Sequence, residues 1–198
     1  MKIKNIVSLL ICTAVIFVLV SCASTESDAP DGMKILDQAS GSYTVYIPNE
    51  WVADMSSGFA SAYASSTDRS NISFTAYTVP DDALTPDGKY ISDAKSSWEY
   101  YENKLKDVLS DIKYETYGEE TTEDGKSVAV NYSTVKLDGL DANKYTFSAQ
   151  LDGTDYKFIQ IVCVHGTDVY IFCYTATEEA FDSHLDDVDK IVKNVRFN

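Results

Sequence analysis

The chain has 198 residues, of which 16 are basic and 31 acidic, for a formal net charge of −15. That balance argues against nucleic acid as a partner, because phosphate binding rests on Lys and Arg neutralising the backbone, and against lying flat on an anionic membrane surface. Fourteen Tyr, eight Phe and two Trp are ample for the core of one domain.

Lys2 and Lys4 precede an apolar run from Ile6 to Val20, broken only by Ser8 and Thr13. This is a basic n-region followed by a secretory h-region, shorter than the roughly 20 residues a spanning helix wants. The run ends in "FVLVSCASTE", residues 17–26. Within it, Leu19-Val20-Ser21-Cys22 resembles the lipobox of bacterial lipoproteins, with small residues beside the cut. The resemblance implies that the Cys22 thiol is acylated and that Cys22 becomes the mature amino terminus. Two or more acyl chains would then hold the protein stably on the lipid bilayer, outside the cytoplasm. The expected plan is a signal peptide over 1–21, the lipidated cysteine and a flexible Ser/Asp/Pro/Gly linker over 22–33, and one domain over 34–198. With Cys12 in the signal and Cys22 acylated, Cys163 and Cys173 remain, which is neither a disulfide framework nor a zinc site.

"SYTVYIP" alternates into a strand ended by Pro48, and "NISFTAYTVP" repeats the pattern to Pro80, with a weaker strand over 59–64 between them. After the Pro/Gly-punctuated loop "DDALTPDGKY", a helix is expected to open at Ser92. Its apolar stripe runs Ile91, Ala94, Trp98, Tyr101, Leu105, Val108, Ile112. Four strands should follow, over 126–136, 141–151, 156–165 and 168–175, separated by Asp138-Gly139, Asp152-Gly153 and His165-Gly166. A two-residue loop at the last turn pairs 163 with 170 and 160 with 173, which sends the two thiols to opposite faces, whereas a shifted register would put them on one face but offset. Thr175-x-x-Glu178 has the form of a capping box. It would start a final helix with the stripe Phe181, Leu185, Val188, Ile191, Val192, Val195, leaving Asp182, Asp186, Asp187 and Asp189 mostly in water.

The run "VYIFCYTATEEAFDSHLDDVDKIVKNVRF", 169–197, and the early Y-x-V-x-I-P-x-x-W from Tyr43 to Trp51 resemble the two ends of the PsbP-like family domain. The resemblance implies an α/β fold with α+β connectivity: an α/β/α sandwich whose central sheet is mainly antiparallel, with helices on both faces. The residues agree, since strand 156–164 is apolar on both sides and needs cover on both. Members of that family act as binding or assembly modules, and the resemblance carries over no catalytic residue.

The local motifs offer no catalytic, metal or cofactor site. "EDGKS", 123–127, ends like a phosphate loop, but a Walker loop needs Gly where Glu120 stands, and the segment precedes a strand. Read as a calcium loop it would put Asn131 in place of the bidentate carboxylate. His165 falls in a turn and His184 on the surface of the last helix. The candidate binding surface is a polar shelf. On strand 141–151, Tyr145, Phe147, Ala149 and Leu151 share one face, and Lys144, Thr146, Ser148 and Gln150 share the other. The neighbouring strand 126–136 should add Asn131 and Ser133. Such one-sided alternation leaves one face to water. Two function classes follow: a membrane-tethered, non-enzymatic binding or accessory module, for which a protein of the cell envelope is the candidate partner, or an envelope hydrolase using two acidic residues.

Overall fold

The computed structural model describes residues 29–36, 42–54, 56, 59–80, 82–122 and 124–198. The segment read as a signal peptide, Cys22 and most of the segment read as a linker lie outside the described residues.

The chain runs β1 (Met33–Leu36), β2 (Tyr43–Pro48), β3 (Val52–Ala53), β4 (Ala60–Tyr63), β5 (Asn71–Thr78), α1 (Ala94–Leu105), β6 (Ser110–Tyr114), β7 (Glu119–Thr121), β8 (Ser127–Ala129) and β9 (Ser133–Leu137). It continues through β10 (Leu140–Leu151), β11 (Thr154–His165), β12 (Asp168–Ala176), α2 (Glu178–Phe181), a 3-10 turn (Asp182–His184), α3 (Leu185–Asn194) and β13 (Arg196–Phe197). The main sheet has the order β3-β4-β5-β12-β11-β10-β6, with β9 beside the first half of β10, and every pairing is antiparallel. A small sheet β1-β2-β13 and a ribbon β7-β8 stand apart from it. β1 begins at Met33, the last residue of the segment read as linker, and its side chain is buried.

The long strands hold register through their turns. Asp138-Gly139 and Asp152-Gly153 both take positive φ at each residue, the geometry of a two-residue type I′ loop. After the third turn, Cys163 pairs with Tyr170 and Gln160 with Cys173, as the loop arithmetic requires. Both cysteines are free and belong to different clusters.

Strand alternation divides the core in two. Phe158 and Val162 of β11 join Tyr145, Phe147, Val169 and Ile171 beneath Trp98 and Leu105 of α1. The Trp98 ring stacks on Tyr145 with centroids 4.0 Å apart. Ile159, Ile161 and Cys163 point the other way, into a cluster with Tyr43, Val45 and Ile47 of β2 and Phe181, Val188 and Ile191 of the C-terminal segment. This second layer is therefore part helix and part small sheet; Tyr43 packs on Phe74 at 4.6 Å and Phe197 on Tyr170 at 4.5 Å.

Local expectations changed where tertiary pairing won. The helix stops at Leu105 rather than running to Ile112, because 110–114 pairs with β10; Val108 is consequently 61% exposed. Asp93, not Ser92, caps α1: its carboxylate accepts from Ser96 N at 2.8 Å, and Ser96 Oγ accepts from Asp93 N at 3.1 Å. Thr175 stays in β12, paired with Asn71 and Phe158, so the expected capping box does not form, and Thr177 caps α2 without a side-chain bond. The last helix is divided by the 3-10 turn, although its apolar stripe is buried as expected apart from half-buried Leu185. Segment 126–136 splits into β8, which pairs β7, and β9, which pairs β10.

His184 is not a surface residue. Its side chain is 19% exposed, Nε2 lies 2.7 Å from Asp68 Oδ2, and its ring meets Trp51 edge-on. Trp51 Nε1 in turn donates to Asp187 at 3.3 Å, so one of the helix acids is engaged. These contacts tie the C-terminal segment to the β2–β5 region. No helix among the described residues is long and apolar enough to cross a membrane.

Candidate functional site

β10 alternates as expected: Tyr145, Phe147 and Ala149 are buried under α1, while Lys144, Ser148 and Gln150 on the other face are half-buried. Leu151, placed with the core in the sequence, is 36% exposed at the strand end. Thr146 also departs from the pattern, with only 4% exposure.

The cover over Thr146 comes from the segment after β6. Glu115 N donates to Thr146 O at 2.9 Å. Thr146 Oγ1 lies 3.0 Å from the Tyr117 hydroxyl, which lies 3.0 Å from Glu115 Oε2. Glu115 Oε1 meets Lys157 Nζ at 3.0 Å. Because Tyr117 has one proton and Glu115 only accepts, the chain runs Thr146 to Tyr117 to Glu115, closed by Lys157. Lys157 also sits over the Phe181 ring at 4.6 Å, a cation–π contact fixing its stem.

Electrostatics follow this geometry. Partial burial raises the Glu115 carboxyl, but the hydrogen bonds from Lys157 and Tyr117 and the charges of Lys157 and Lys144 outweigh it, so the carboxyl sits below the ordinary range. Burial raises the Tyr117 phenol and the bond to Glu115 raises it further, against the opposing bond from Thr146. Nearby, Gln150 Nε2 donates to Asp155 at 3.0 Å.

The six residues predicted for the shelf do not form one surface. The neighbour of the Phe147–Gln150 stretch is β6, with Ser148 opposite Lys113 and a register shift between Ser148 and Gln150. Ser133 does pair opposite Lys144. Asn131 instead lines a groove with Lys95, Trp98, Glu102 and Tyr145, on the α1 side of the sheet. The continuous shelf is Lys144, Ser148 and Gln150 flanked by Lys113, Glu115 and Lys157, beside a shallow depression of about 290 Å3 that Glu178 and Asp182 complete. Lys157 was reachable from sequence, since the Asp152-Gly153 turn sets Ser148 opposite it. Glu115 and Tyr117 were not, because they lie in irregular backbone whose position depends on β6 joining the sheet. Among the described residues, no three His, Cys, Asp or Glu side chains are grouped to hold a metal ion.

No protein-family model and no curated protein matches the chain. Among solved structures, it is similar to cyanobacterial PsbP (CyanoP) from Synechocystis sp. PCC 6803, with a TM-score of 0.54 and 13% identity over 89% of this chain and 99% of that one. It also aligns with LpqN of Mycobacterium tuberculosis, a protein described as involved in cell envelope biogenesis, with a TM-score of 0.45 and 14% identity over 86% and 80% of the two chains. The antiparallel sheet and its end-to-end match to CyanoP give this chain a PsbP-like fold.

Proposed function

We propose that this protein is a non-enzymatic binding or accessory module, held outside the cytoplasm by a lipid on Cys22, that docks a protein partner through the β10–β6 shelf. The observation that carries the reading is the ordered chain Thr146–Tyr117–Glu115–Lys157, which ties a hydroxyl and a carboxylate of the irregular segment after β6 to Thr146 of β10 and Lys157 of β11 and so fixes charges of both signs. Side chains held this way lose little entropy on docking and favour a partner of complementary charge pattern. The surface is shallow, as suits a protein face better than a small substrate. The PsbP-like fold supports the same reading through a family of binding and assembly modules.

The test is site-specific photocross-linking in the native envelope. A photoreactive residue at Ser148 should give a discrete adduct, and Lys144→Glu should abolish it without lowering the Tm. Thr146 is a poor target because its burial would confuse docking with folding. A probe at Ser148 that yields no more adduct than one at exposed Val108 would sink the reading. For the anchor, Cys22→Ala should leave the protein unprocessed or release it from the membrane. Normal maturation with lipid-mediated retention would refute lipidation.

A further inference from the structure

A second feature of the molecule has no part in the shelf. Between the β4–β5 turn, the end of β12 and the β10–β11 hairpin lies a cleft of about 630 Å3, lined among others by Tyr63, Arg69, Asn71, Tyr156, Thr175 and Thr177. Its volume lies within the roughly 300–1,000 Å3 of small-molecule sites. None of its lining residues belongs to the shelf depression.

Its charge is unusual for so acidic a chain. Arg69 and Arg196 are the chain's two arginines. Arg196 is engaged by the Lys193 and Val195 carbonyls and lies 3.9 Å from Asp138. Arg69 has no ion-pair partner among the described residues. Asp68 also lines the cleft, but its carboxylate is occupied, with Oδ2 on His184 at 2.7 Å and Oδ1 accepting from Ser70 N at 2.8 Å. The Arg69 guanidinium instead lies over the Tyr63 ring at 4.9 Å, and the Tyr63 hydroxyl is tied to Asp54 at 3.1 Å. Tyr63 is thus a fixed plate under a guanidinium whose edge donors remain available for bidentate contact with a carboxylate or phosphate. Around it stand Tyr156, Thr175, Thr177 and Asn71; Asn71 Nδ2 donates to the Arg69 carbonyl at 3.0 Å and Thr175 Oγ1 lies 3.5 Å from Cys173 Sγ, whereas Thr177 makes no side-chain cap bond that would consume its hydroxyl.

We infer that this cleft binds a small polyhydroxylated anion, a sugar phosphate or sugar acid, with its charged group on Arg69 and its hydroxyls on the Thr and Tyr side chains. A neutral sugar leaves the guanidinium unmatched, and inorganic phosphate leaves most of the cleft empty. The test uses the full chain in detergent, titrated with glucose 6-phosphate, glucuronate and glucose while the amide signals of Asn71, Thr175 and Thr177 are followed by NMR. At least one of the two anions should give saturable shifts at these amides, and the better of the two identifies the head group. Arg69→Ala should weaken that binding about tenfold or more, with Arg69→Lys between. Arg69 is exposed, so both variants should fold, as their unchanged spectra elsewhere would show. The inference is overturned if neither anion saturates by about 10 mM, a weak-affinity ceiling, if glucose binds as well as the anions, or if Arg69→Ala binds them unchanged.

Discussion

Replacing Tyr117 by Phe removes one oxygen from the surface of the domain, yet it should cost more than an ordinary surface change. That oxygen is the partner of Thr146 Oγ1 at 3.0 Å, and Thr146 is 4% exposed. Without it, a buried hydroxyl is left unpaired, a loss of about 1–3 kcal/mol, and Glu115 loses one of its donors. Thr146→Val removes the other partner at nearly constant shape and should cost about 0.5–1.5 kcal/mol, the net value of one neutral hydrogen bond. The double variant should cost less than the sum by about 1 kcal/mol, because Phe and Val leave no orphaned hydroxyl between them. Urea denaturation followed by circular dichroism gives the four free energies of the cycle. For a domain of this size each kcal/mol also lowers Tm by about 2–4 °C. If the two changes add to within about 0.3 kcal/mol, the chain through Tyr117 does not couple to the sheet and the account of the shelf's rigidity fails.

Acid should destabilise the protein through groups whose folded-state pKa is depressed. Glu115 and Asp68 are both below their ordinary values, since burial raises each but the bonds from Lys157 and Tyr117, and from His184 and Ser70, outweigh it. Their contribution is present above the unfolded pKa near 4 and is lost as pH falls through the lower folded values. The double change Glu115→Gln with Asp68→Asn should therefore flatten the acid limb of the stability curve, and an unchanged slope between about pH 4 and 2.5 would contradict the assignment. Asp93→Ala should cost about 0.5–2 kcal/mol by uncapping α1, with Asp93→Asn retaining most of the cap, as measured by denaturant melts. Burial pushes the Cys163 thiol up to about 11, helped by the Asp141 charge, and raises Cys173 as well. Neither should react with a maleimide at neutral pH at the rate both show after unfolding, and the intact chain should show no two-dalton deficit from a disulfide.

Much of the frame was legible in the chain itself. The period-two alternation of β10, β11 and β12, with the Asp152-Gly153 turn and the two-residue Gly166-Thr167 turn, determined register and face together, because slipping by one residue would invert every side chain. Hence the two-sided core of β11 followed from the residues alone, and the opposite-facing cysteines followed from them once the last loop was given two residues, the register the structure adopts. The C-terminal stripe from Phe181 to Val195 was equally plain, since a 3.6-residue period survives the 3-10 turn that divides the helix. The PsbP-like fold was legible at the two ends of the domain.

What required the tertiary structure was every feature set by a partner distant in sequence. Ile112 fits a helical stripe, and only the free edge of β10 makes it a strand residue. That decision then carries Glu115 and Tyr117 over Thr146, turning an expected exposed residue into a buried one and replacing the expected strand neighbour of the shelf. Asn131 was separated from Ser133 for the same reason, as β8 and β9 take different partners. Arg69 and Thr177 are 108 positions apart and share a cleft because β12 lies beside β5. Local sequence fixes which faces are apolar, whereas the pairing of strands across long loops depends on the whole sheet closing at once, and it is that pairing which brings the polar groups of both surfaces together.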